Sequence, residues 1–90
     1  MLKSGAIYKF DTPKKFQYGR NRYDSLDVEY IEILKVKPKM VQVKLIPIKG
    51  GDGNRISRTQ NLNRLELSYL LNDEKFPVTE FKGKIDGAIY

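Results

Sequence analysis

Apolar residues are packed most densely between Val28 and Ile48, where two β-branched and aromatic runs, Asp27 to Val36 and Val41 to Ile48, flank Lys37-Pro38-Lys39-Met40. Proline presets the backbone angle for a turn, so the pattern predicts a hairpin closed around Pro38. Closing it there sets Val36 opposite Val41, Leu34 opposite Val43, Ile33 opposite Lys44 and Ile31 opposite Ile46. Near the tip, Val36, Val41, Leu34 and Val43 then share an apolar face, while Lys35 and Gln42 share the other. Nearer the base the phase reverses: Ile31, Ile46 and Ile48 fall on the face that is polar at the tip, with Glu32 and Pro47 on the former core face. Two paired strands that change phase at one level predict a bulge or bend. Pro47, which donates no ladder bond, suits a kink or an edge. A long, sharply bent hairpin is what a small closed barrel requires.

The rest of the chain supplies shorter elements. Ala6 to Phe10 has the composition of a first strand. Asp11 to Ser25 opens on Asp-Thr-Pro, contains Gly19 and has no helical period, which predicts a long loop. Gly50-Gly51-Asp52-Gly53-Asn54 reads as a second hairpin loop. It lacks a following Gly-Lys-Ser/Thr and opens no helix, so it is not a phosphate-binding loop. Arg55 to Thr59 is expected to be a strand with Ile56 inward and both arginines accessible. From Asn61 to Asn72 two spacings compete: Leu62, Leu65, Tyr69 and Leu70 follow a helix, whereas Leu65, Leu67, Tyr69 and Leu71 alternate as a strand would. Good helix formers and the absence of β-branched residues favour a short helix, capped by Asn61 and able to plug one barrel end. Phe76-Pro77 turns the chain into Val78 to Phe81, and Ala88-Ile89-Tyr90 is a terminal strand that either closes the barrel or pairs across a dimer edge.

Gly5 to Phe10, the long loop, the bent hairpin and the Gly50 to Asn54 turn together resemble an SH3-like small barrel. The resemblance implies a mainly β fold: a small, strongly bent barrel of about five strands with one short helix late in the chain. An OB-like barrel is the alternative. The glycine-centred motif of the ribosomal and transcription-factor members is missing, and the aromatic-proline pocket of peptide-binding members is not legible. Fold therefore does not supply function.

Ninety residues make a single domain, 1–90. The chain holds no cysteine and no histidine, which removes disulfides, thiolate nucleophiles, imidazole bases and the usual zinc ligands. Asp24, Asp27, Glu29 and Glu32 are close in sequence, but Glu29 and Glu32 point to opposite faces of a regular strand, so they read as solvated charges. No enzyme activity, catalytic residue, metal or cofactor is expected. No apolar stretch approaches the ~20 residues of a membrane span, and no signal-peptide pattern opens the chain; a soluble, cytoplasmic protein is expected.

The net charge of +6 points instead to an acidic or polyanionic partner. Lys14 to Tyr23 concentrates it, with Lys14, Lys15, Arg20 and Arg22 interleaved with Phe16, Tyr18 and Tyr23 and no acid. Such a loop can neutralise phosphates and stack unpaired bases, or its rings can fold back onto the barrel while its charges stay wet. Lys37 and Lys39 at the hairpin tip, and Arg55 and Arg58, are further candidates; lysines at a tip also blunt sheet edges. Two functions fit these residues. One is a non-catalytic nucleic-acid-binding barrel, for DNA or RNA. The other is a small phage or mobile-element protein that uses the same basic surface to inhibit or modulate a host protein, itself acidic or nucleic-acid-binding. Either would be a monomer or a weak dimer.

Overall fold

The computed structural model describes residues 2–17 and 25–89. The chain is mainly β, as its pattern predicts. Five strands form one antiparallel sheet: β1 (Ile7–Gln17), β2 (Ser25–Val36), β3 (Met40–Pro47), β5 (Arg58–Asn63) and β6 (Val78–Phe81), in the order β5-β3-β2-β1-β6. The short β4 (Arg55–Ile56) pairs in parallel with β7 (Ala88–Ile89), and the helix α1 (Arg64–Leu71) joins β5 to β6. Among the described residues no ladder joins the two edge strands, β5 and β6.

The β2–β3 hairpin turns where Pro38 requires it, with the Lys37 amide donating to the Met40 carbonyl at 2.9 Å. Val36 faces Val41 as expected. The anticipated break in phase is present as two irregularities, one between Ile33 and Lys35 and one between Val28 and Tyr30. The first corrects the expected register. Leu34 is the extra residue of the bulge, so Ile33 rather than Leu34 pairs with Val43, and Ile31 pairs with Leu45 rather than Ile46. The bulge is held from outside: Ser4 Oγ donates to the Leu34 carbonyl at 2.7 Å, and the Gly5 amide to the Ile33 carbonyl at 2.7 Å. Ile48, expected on a shared apolar face, is exposed.

The second correction concerns β1. It does not end at Phe10 but kinks between Lys9 and Lys14 and then pairs Lys14 to Gln17 with Ser25 to Val28. The Asp-Thr-Pro signal therefore marks an irregularity inside a strand, a position where proline costs little.

The main core gathers Phe10, Val28, Ile31, Ile33, Val41, Val43, Leu45 and Leu67, all buried. The helix reading of residues 61–72 holds and the strand alternation does not: Leu65, Leu67, Tyr69 and Leu71 all lie in α1, which begins only after β5 has run to Asn63. Asn63, not Asn61, is the cap: its side-chain oxygen accepts from the Glu66 amide at 3.1 Å. Leu67 is buried and Leu70 and Leu71 pack on the same core, so the helix covers the sheet with its 67/70/71 stripe.

A second cluster, Tyr30, Ile46 and Ile85 with Ile7 and Phe81, lies on the other side of the sheet near the hairpin base. Residues 83–89 cross it as a strap. Arg55 fastens that strap, its amide donating to the Gly87 carbonyl at 2.8 Å and its Nε to the Asp86 carbonyl at 2.8 Å. Gly87 has a φ of 76°, and a Cβ there would strike the Gly53 carbonyl, so both the turn and the close approach demand glycine. The last strand thus pairs with β4.

Candidate binding surface

Three elements meet at the tip of the β2–β3 hairpin. The Arg64 amide donates to the Lys39 carbonyl at 3.0 Å, and the Arg64 guanidinium to the Lys37 carbonyl at 3.3 Å, so the first turn of α1 is fixed against the turn around Pro38. Between them lies an open groove of about 360 Å³, lined by Pro38, Lys39, Asn63, Arg64, Leu65 and Ser68. Ser68 Oγ donates back to the Arg64 carbonyl at 3.0 Å, keeping that hydroxyl within the helix.

The rim of the groove is cationic. Lys37, Lys39 and Arg64 are all exposed. Exposed Lys35 lies on the sheet face away from the main core, and so on the side opposite α1, in register with Gln42 and Asn61, because Val36, Val41 and Leu62 take the core face. Glu66, in the first turn of α1, is the acid nearest in sequence. Beside the groove the helix surface is apolar: burying Leu67, Leu70 and Leu71 rotates Leu65, which lines the groove, and Tyr69, one turn further on, outward, where they are 62% and 68% exposed. Positive charge beside an exposed aromatic and aliphatic stripe can bind an anionic chain that also carries flat apolar groups. It offers no paired base and nucleophile.

The other sequence candidates are placed differently. Lys14 is half-buried, its ammonium 4.1 Å from the centre of the Phe76 ring and 5.8 Å from that of Phe16. Phe16 is itself half-buried against the main core, 6.0 Å from Phe10, so this ring folds back onto the protein. Lys15 is exposed opposite Asp27. Tyr18, Arg20, Arg22 and Tyr23 lie outside the described residues. Arg58 is exposed at the start of β5, opposite Leu45.

Arg55 and Ile56 reverse the orientation expected of them. Arg55 is 6% exposed, and Ile56 is 72% exposed. The guanidinium donates to the Pro47 carbonyl at 2.8 Å and to Glu29 Oε1 at 3.3 Å, and its carbon lies 5.3 Å from the centre of the Tyr30 ring. This arginine holds the fold together rather than presenting charge. Beside it, Lys49 pairs with Asp86, whose carboxyl lies below the ordinary carboxylate range because that ammonium donates to it.

Asp24 lies outside the described residues, and the described acids do not assemble into a site. Asp27 is exposed opposite Lys15, Glu29 is taken by Arg55, and Glu32 lies opposite Ile7 and Lys44. Among the described residues no group of three or more acidic side chains could hold a metal ion, and no helix is long and apolar enough to cross a membrane.

Topology also separates the basic residues that the sequence places in two runs. Lys14 and Lys15 adjoin the start of β2, and Lys35, Lys37 and Lys39 its end. Lys14 pairs with Val28, seven residues before Lys35, roughly 23 Å along a straight strand, so the two groups lie at separate levels of the hairpin. Arg64, Leu65, Ser68 and Tyr69 were not among the sequence candidates. The signal that locates them is Asn63 followed three residues later by Glu66, a helix-start pattern that fixes the outward face of α1. No protein-family model matches the chain, and no curated protein or solved structure matches it either.

Proposed function

We propose that the protein is a non-catalytic module that binds nucleic acid, built on an SH3-like small barrel, with the hairpin tip and the start of α1 as its contact surface. The fold-level part of this reading is supported by connectivity. A meander of four strands (β1, β2, β3 and β5) is followed by a short helix, and the fifth strand, β6, returns beside the first.

The observation that carries the functional part is that Lys39 of the hairpin tip and Arg64 of α1 line one groove, with exposed Lys37 held beside them by the bond from the Arg64 guanidinium to its carbonyl. Lysine ammoniums and an arginine fork suit phosphate oxygens, and contacts to phosphates hold a backbone without reading its sequence. Lysines at a sheet edge also guard against aggregation. That role does not account for Arg64, which lies on a helix and not on an edge strand.

Fluorescence anisotropy with labelled oligonucleotides tests the proposal. Binding is expected at low salt and should weaken steeply as salt rises, because each neutralised phosphate releases counterions. Lys37→Ala with Lys39→Ala should shallow the slope of log K against log salt by roughly one to two units. No binding at low salt, or an affinity indifferent to salt, would refute the proposal.

A further inference from the structure

Tyr69 has no task within the fold. It is 68% exposed, on the side of α1 opposite the buried 67/70/71 stripe. No described residue makes a ring contact or a hydrogen bond with its side chain. Leu65 lies one helical turn before it on the same face, about 6 Å along the axis, and Leu65 lines the groove with Pro38, Lys39 and Arg64. The helix thus sets a flat aromatic surface one turn away from a cationic rim.

We infer that the ligand of this surface is single-stranded nucleic acid, its phosphates against Lys37, Lys39 and Arg64 and one unpaired base stacked on the Tyr69 ring over Leu65. This rests on the nucleic-acid reading above and narrows it. In a duplex the base faces are covered by their neighbours, and only the anionic backbone and the groove edges are offered. A duplex would use the lysines and leave the ring idle. An unpaired strand offers both charge and open π-faces, and every base has one, so stacking needs no particular sequence. Charge complementarity selects the class of ligand, and the exposed ring selects its strandedness.

The test compares labelled single-stranded 20-mers of DNA and of RNA with a 20-base-pair DNA duplex, using the full chain, Tyr69→Ala, Tyr69→Phe and the Lys37→Ala, Lys39→Ala double variant. Because Tyr69 is exposed, its variants should melt at the wild-type temperature, and a melt confirms this. Tyr69→Ala should weaken single-strand binding by about 5- to 150-fold, the equivalent of 1–3 kcal/mol of stacking. It should leave both duplex affinity and the salt slope unchanged, and Tyr69→Phe should restore wild-type behaviour. The double lysine variant should weaken both forms and shallow both slopes. If Tyr69→Ala changes nothing, or weakens duplex and single strand alike, the strandedness inference is overturned, while the broader reading stands so long as the lysine variant weakens binding. If the wild-type chain binds neither form at low salt, the broader reading fails and takes this one with it.

Discussion

Replacing Arg55 by methionine tests whether this residue is a structural clamp or part of a binding surface. Methionine keeps most of the length of the side chain and can still lie against Tyr30, so the change removes the donors more than the packing. Three acceptors lose a partner: the Pro47 carbonyl, the Asp86 carbonyl and Glu29 Oε1. They do not lose equally. Pro47 is buried, so its carbonyl bears the full cost of an unsatisfied group, about 1–3 kcal/mol. Asp86 is exposed and its carbonyl can rehydrate. The Glu29 side chain, 22% exposed, can turn part of its charge to water, which discounts its share to about 1 kcal/mol. Against these stands the relief of no longer burying a charge, which offsets part of the loss.

The net expectation is a destabilisation of about 2–4 kcal/mol, a large fraction of the stability of a domain this size. In a thermal melt that is a fall of at least about 8 °C. The loss should begin at the strap, so amides of residues 83–89 should exchange faster than those of β2 and β3. Arg55→Lys should recover little, since an ammonium cannot reach three directions in one plane. Nucleic-acid binding, measured well below the lowered melting temperature, should be unchanged. A variant within about 0.5 kcal/mol of wild type would refute the clamp, as would one that melts normally but no longer binds.

Two further substitutions test the geometry. Ile33→Ala should cost about 2–4 kcal/mol and Leu34→Ala less than half as much, because only Ile33 is fully buried while Leu34 occupies the bulge; denaturant melts giving equal losses, or the reverse order, would move the bulge. Asp86→Asn removes a carboxylate whose pKa is depressed in the folded chain by the hydrogen bond from Lys49. Such a group contributes stability above its unfolded pKa of about 4 and loses it as pH falls through the lower folded value. The variant should therefore have a lower denaturant midpoint than wild type at pH 7 and the same midpoint at about pH 2; a gap that persists in acid would show that the ion pair is not its cause.

The corrections share one physical origin, which is that sequence pattern reports local period while burial is settled by distant partners. The reversal of phase between Val36 and Ile31 did announce a bulge, but alternation cannot say which of two adjacent aliphatic residues is the extra one. That was decided by Ser4 and Gly5, about 30 residues away, bonding to the carbonyls of Leu34 and Ile33. Arg55 is the stronger case. A charged residue next to an isoleucine reads as exposed, and its partners lie 8, 26 and 31 residues distant, so no window along the chain contains the reason for its burial. In α1 the information was local: Asn63, Glu66 and the 67/70/71 spacing specify both the start and the inward face. It was obscured because Leu65 and Tyr69 extend an apparent strand alternation. Those two residues satisfy the hydrophobic count of the sequence without contributing to the core. Charge follows the same logic. A net +6 suggests one basic field, yet Lys15 lies opposite Asp27 near the start of β2 while Lys35 lies near its end and Lys37 and Lys39 in the turn beyond, Lys14 turns onto Phe76, and Arg55 is buried. Of the cations so placed, those at the hairpin tip are joined by an arginine and an exposed ring from a separate element, and it is on that added chemistry that the proposed preference for one polyanion over another rests.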